Sequence, residues 1–75
     1  MDSRKLKSTL VLNGYSIDKL LELLEQYDVH MSRSAWFKKS RGDSEFTRKE
    51  IEALTHALNL NRADMMDIFF KDEVS

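Results

Sequence analysis

Cysteine and proline are both absent from this 75-residue chain, and glycine occurs only twice. Without cysteine there is no disulfide framework and no thiolate metal site. Without proline the commonest interruption of a helix is missing. Long apolar runs are lacking too, and nothing approaches the roughly 20 residues needed to cross a bilayer. The N-terminal apolar stretch, Thr9 to Leu12, spans four residues, well short of the roughly 7–15 of a signal-peptide core. An intracellular, cytoplasmic protein is expected. A chain of this length forms one domain, 1–75, around one modest core.

An excess of positive charge is also lacking, since the net charge is −1. The charges are nonetheless segregated. Residues 30–49 carry six basic side chains against two acidic, while 17–29 carry one against four and 50–75 carry two against six. Residues 1–16 are again basic, with Arg4, Lys5 and Lys7 against Asp2. A polyanion responds to the face that meets it rather than to the total charge.

The apolar pattern predicts five helices and no strands. The first runs from about Ser3 to Asn13, with Leu6 and Leu10 on one face and Val11 beside them, and Gly14 stands where a left-handed cap is wanted. Ser16 is placed to cap a second helix whose stripe is Ile17, Leu20, Leu21 and Leu24, ending near Gln26 or Tyr27. A turn follows, anchored by Val29 and Met31. Ser32 caps a third helix that reaches about Ser40, and Gly42 permits a sharp change of direction. Phe46 is the apolar plug of the next loop. Thr47-Arg48-Lys49-Glu50 is a capping box opening a fourth helix with the stripe Ile51, Leu54 and Leu58. Asn61 caps a fifth helix carrying Met65, Met66, Ile68, Phe69 and Phe70, and a polar tail, 71–75, is expected to fray.

The stretch from Leu20 to Gly42 holds the functional information. An acidic amphipathic helix leads through a turn into a short helix that is basic and hydroxyl-rich on one side, the plan of a helix-turn-helix. Ala35 and Trp36 are expected to face the core. Arg33, Ser34, Phe37 and Lys38 then point outward as candidate base readers. The arginine fork suits guanine O6 and N7, and Phe37 offers an apolar surface to a thymine methyl. Ser32, Lys39, Arg41, Arg48 and Lys49 are candidate phosphate contacts. Helix amides at the starts of the second and fourth helices add anion-binding capacity.

Met31-Ser32-Arg33-Ser34-Ala35-Trp36-Phe37-Lys38-Lys39, followed by Gly42 and Ser44-Glu45-Phe46-Thr47, resembles the recognition helix, glycine loop and fourth-helix cap of the Cro/CI-type (XRE) helix-turn-helix regulators. The likeness is strongest to small Cro-like repressors of prophages, and Asp67-Ile68-Phe69-Phe70 is similar to endings in that group. It spans Leu6 to Phe70. It implies a five-helix bundle of the lambda-repressor-like type, with the helix-turn-helix formed by helices 2 and 3. It also implies repression by binding a palindromic duplex-DNA operator, often as a dimer. Two features depart from the pattern. Leu21 stands where alanine is common, and 25–30 lengthen the path from Leu24 to Met31. Either the turn is longer or the second helix gains a turn.

Other residues have plainer readings. Trp36 is expected in the core rather than stacked on a base. His30 and His56 match no metal-ligand spacing, and Glu22 and Glu25 are solvated surface charges. No nucleophile constellation or phosphate-cradling glycine loop is present, so neither an enzyme nor a cofactor is expected. Met66 and Phe70, at i and i+4, are rotated away from Met65, Ile68 and Phe69. They form a candidate dimer patch that acidic neighbours would keep clear of DNA. Two rival functions remain: an antirepressor or other protein-interaction module, and an excisionase-like architectural protein.

Overall fold

Every helix in the computed structural model, which describes residues 2–70, begins at a side chain that accepts a backbone N–H three residues on. The caps are Asp2, Ser16, Ser32, Thr47 and Asn61, and they open α1 (Ser3–Leu12), α2 (Ile17–Glu25), α3 (Arg33–Ser40), α4 (Arg48–Ala57) and α5 (Arg62–Phe69). Each cap satisfies one of the amides a helix start leaves unpaired. At Thr47 the bond is reciprocal, because Glu50 reaches back to the Thr47 N–H. No strand occurs among the described residues. The expected tail at 71–75 lies outside them.

The exits follow one rule as well. α1 to α4 are each followed by a residue with positive φ: Gly14 at 71°, Asp28 at 62°, Gly42 at 90° and Asn59 at 54°. The next residue then donates its N–H to a carbonyl five positions back. These bonds are Tyr15 to Leu10, Val29 to Leu24, Asp43 to Lys38 and Leu60 to Thr55, at 2.9–3.1 Å. This is the 6→1 bond of a Schellman ending. Aspartate and asparagine are the non-glycine residues that tolerate this conformation best.

The core collects Leu6 and Leu10 from α1, Leu20 and Leu24 from α2, Trp36 from α3, Ala53 and Leu54 from α4, Ile68 from α5, and Val29 and Leu58 from connections. α2 packs on α3 and α4, and α5 packs on α1 and α4. Phe46 plugs the core as expected. Its ring lies 5.8 Å from that of Trp36 and 5.5 Å from that of Phe69, the latter edge-on. The start of α1 is tied to α5. Asp2 donates its N–H to the Ile68 carbonyl at 2.7 Å, and Lys5 reaches Asp67 at 3.0 Å and Asp64 at 3.6 Å.

The helix bounds fall within a residue or two of those expected, one expectation is corrected and one open alternative is decided. α1 stops at Leu12, with Asn13 as its C-cap. Val11 does not join the apolar face and is 77% exposed, because it sits one position past Leu10, about 100° round the helix. The extra residues after Leu24 lengthen the turn and not the helix. α2 ends at Glu25, and seven residues, Gln26 to Ser32, precede α3, against the 3–4 or so of an ordinary helix-turn-helix.

Candidate nucleic-acid interface

α3 is eight residues long, or about 12 Å, close to the roughly 12 Å width of the DNA major groove. It is anchored by Trp36 and Ser40, one turn apart and both buried. The Ser40 hydroxyl is satisfied internally by donating to the Phe37 carbonyl at 3.2 Å. Anchoring on that side leaves the other to solvent. Arg33, Ser34, Phe37 and Lys38 are all exposed, with Phe37 40% so. The structure therefore brings the four candidate base readers onto one open surface.

The candidate phosphate contacts divide. Ser32 caps α3 by accepting the Ala35 N–H at 3.1 Å, and its own O–H stays available as a donor. Arg41 at the end of α3 pairs with Asp43 at 2.9 Å, Arg48 with Glu52 at 3.4 Å, and Lys49 with Asp28 at 3.0 Å. Arg33 pairs with Asp18 at 2.7 Å. These partners are all well exposed, and exposed ion pairs contribute only about 0–1 kcal/mol. Such cations can be handed over to an incoming anion. Lys38 has no ion-pair partner among the described residues.

Lys39 is different and leaves the candidate set. Its ammonium is held 2.6 Å from both oxygens of Glu50, and its side chain is only 18% exposed. Lys39 is adjacent to the buried Ser40 on α3, so its stem is drawn toward α4. There Glu50 already serves the Thr47 cap. A phosphate contact would require breaking a half-buried pair.

The long α2–α3 turn contributes to the same surface through Asp28. Its carboxylate accepts from Lys49 and lies 3.7 Å from His30 Nε2. The Lys49 hydrogen bond first, then the Lys49 and His30 charges, hold the Asp28 carboxyl below its ordinary range. Tyr27 stacks on His56 with ring centroids 5.6 Å apart. No cluster of three or more His, Cys, Asp or Glu suited to a metal occurs among the described residues.

One cation outside the expected set lies beside this surface. Lys7, on α1, lines a groove shared with Phe37, Ser40 and Arg41 of the α3 region. The basic balance of residues 1–16 was the available signal, but nothing local shows that α1 ends up beside α3. The candidate dimer patch also needs relocation. Met66 and Phe70 are 45% and 54% exposed, yet Phe70 lines a surface cleft together with Arg41, Gly42 and Ser44. It thus borders the basic face instead of lying remote from it. Asp64 and Asp67, expected to guard that patch, are both engaged by Lys5, whose ammonium is held above its ordinary range chiefly by the Asp67 hydrogen bond. Asp72 and Glu73 lie outside the described residues.

No family model, curated protein or solved structure matches the chain. Among the described residues no helix is long and apolar enough to cross a membrane.

Proposed function

We propose that this protein binds duplex DNA sequence-specifically and regulates transcription, as a repressor of the Cro-like kind, with α2 and α3 acting as a helix-turn-helix. The observation that carries the reading is the outer face of α3. Arg33, Ser34, Phe37 and Lys38 are exposed together on a helix fixed from behind by Trp36 and Ser40. Arg33 and Ser34 read base edges near the start of the helix, and Phe37 meets a thymine methyl. Lys38 serves a base or a phosphate. Ser32, Arg41, Arg48 and Lys49 hold phosphates on either side. Asp18, Asp43, Glu52 and Asp28 keep these cations oriented until the duplex replaces them.

One short helix covers only a few base pairs, so the reading includes a homodimer on a palindromic operator, its half-sites about 34 Å apart. The exposed apolar side chains of Met66 and Phe70 are the proposed contact. The test is a gel-shift titration of the whole chain against salt. Each phosphate contact contributes about −0.9 to the slope of log K against log salt. Three contacts per subunit therefore predict a slope of about −2.7 on a single half-site and about −5.4 for the dimer on its operator. A salt-independent interaction, or none above background, overturns the reading.

A further inference from the structure

The exposed apolar side chains at the end of α1 play no part in the DNA reading. Val11 is 77% exposed and faces the groove of about 500 Å³ between α1 and α3. Leu10 and Trp36, both buried in the core, also line it. Val11 and Phe37 form exposed apolar edges, and Lys7 and Arg41 bring positive charge to the rim. No acidic side chain lines the groove.

We infer that this groove is a docking site for an acidic amphipathic helix of a partner protein. Its two walls are the surfaces of α1 and α3, and Tyr15 and Ile17, from the α1–α2 connection and the start of α2, extend its apolar lining. Lys7, Leu10 and Val11 span one turn of α1, as Phe37 and Arg41 span one turn of α3. An occupant with apolar anchors at i, i+4 and i+7 can lay them along such a channel, which is the helix-in-groove mode of recognition. Lys7 has no ion-pair partner among the described residues, and that of Arg41 is a solvated aspartate. Exposed Arg4 precedes Lys7 by three residues on the same helix, close to one turn. Charge complementarity therefore selects acidic flanks. A nucleic-acid backbone fits the rim but not the floor, because it would desolvate phosphate against Leu10, Val11 and Trp36.

The inference does not depend on DNA binding, but it has a consequence for it. Phe37 and Arg41 belong both to the groove and to the proposed DNA surface, so an occupied groove and a bound duplex exclude each other. The partner is in this sense a competitor of the operator.

Trp36, the single tryptophan of the chain, lines the groove and reports its occupation by fluorescence. The probe is a synthetic helical peptide of about four turns, with leucine at i, i+4 and i+7 and glutamate on the flanks. A scrambled peptide of the same composition and a peptide with lysine in place of glutamate are the controls. The expected result is a saturable change in Trp36 emission for the acidic amphipathic peptide only. Val11→Asp should weaken it at least tenfold, and Lys7→Glu should shift preference toward the lysine peptide. Both substitutions lie on exposed positions, and a thermal melt verifies the fold. No response at millimolar peptide, or an equal response to the scrambled sequence, overturns the inference. It is equally overturned if Val11→Asp abolishes duplex binding while no peptide binds, which would give the groove to DNA. Self-association relieved by Val11→Asp would instead make a second copy the occupant and also overturn it. A duplex that fails to bind while the peptide binds would remove the DNA reading and leave this one standing.

Discussion

The ammonium of Lys39 lies 2.6 Å from both carboxylate oxygens of Glu50, and the two side chains are only 18% and 14% exposed. Glu50 also accepts the Thr47 N–H at 2.8 Å. One carboxylate therefore fastens the end of α3 to α4 and completes the α4 cap.

Acid should loosen this joint. Burial pushes the Glu50 carboxyl up, but the Lys39 hydrogen bond, the Thr47 backbone bond and the Lys39 charge outweigh it and hold the group below its ordinary range. A carboxyl lowered in the folded state contributes stability above its unfolded value, about 4.3 for glutamate. That contribution disappears as pH falls through the lowered folded value. Glu50→Gln should cost about 1–3 kcal/mol at neutral pH. Its melting temperature should then fall less steeply than that of the wild type in acid. Parallel curves for the two proteins would show that Glu50 is not the group responsible.

Arg33→Ala should weaken binding to a selected operator by about 1–3 kcal/mol and relax the preference at one base pair. Arg33→Lys should not restore the preference, since a single ammonium cannot reproduce the two-pronged contact. The measurement is affinity for single-base operator variants. Equal losses on specific and random duplexes would reassign Arg33 to a phosphate.

Trp36→Ala should cost roughly 3–5 kcal/mol, because a side chain only 2% exposed and packed against Phe46 leaves a cavity at the root of α3. A domain this small has about that much stability in total. Circular dichroism should show a largely unfolded chain at ambient temperature. A cooperative melt near that of the wild type would contradict the core placement.

Phe70→Ser should reduce occupancy of a palindromic operator by pairs while leaving single half-site binding largely intact. Phe70 is 54% exposed, so the substitution removes apolar area from the proposed subunit contact without disturbing the core. Stoichiometry by sedimentation on one-half-site and two-half-site duplexes checks this. A one-to-one complex on both, the same for wild type and variant, would defeat the dimer.

The helices were legible because their signals are local. Ser16, Ser32, Thr47 and Asn61 act within three residues of themselves, and Leu20/Leu24 or Leu54/Leu58 mark a face by spacing alone. Gly14 and Gly42 announce their left-handed turns by lacking a side chain. Asp28 and Asn59 adopt the same conformation without advertising it, because they are as common in ordinary loops. That is why 25–30 could be read either as a longer turn or as a longer helix.

The sequence by itself determined that the chain is all-helical, where each helix starts, and that basic residues concentrate between positions 30 and 49, since capping, periodicity and local charge need only neighbours along the chain. Only the tertiary structure decided which charges are available at the α3 surface. Lys39 is withdrawn by Glu50, 11 residues away, while Lys7 is delivered to α3 from the far end of the sequence. Val11 is left exposed where a neighbour of Leu10 was expected to pack. The physical reason is that a side chain's freedom depends on what the packed helices bring against it, and those partners are remote in sequence.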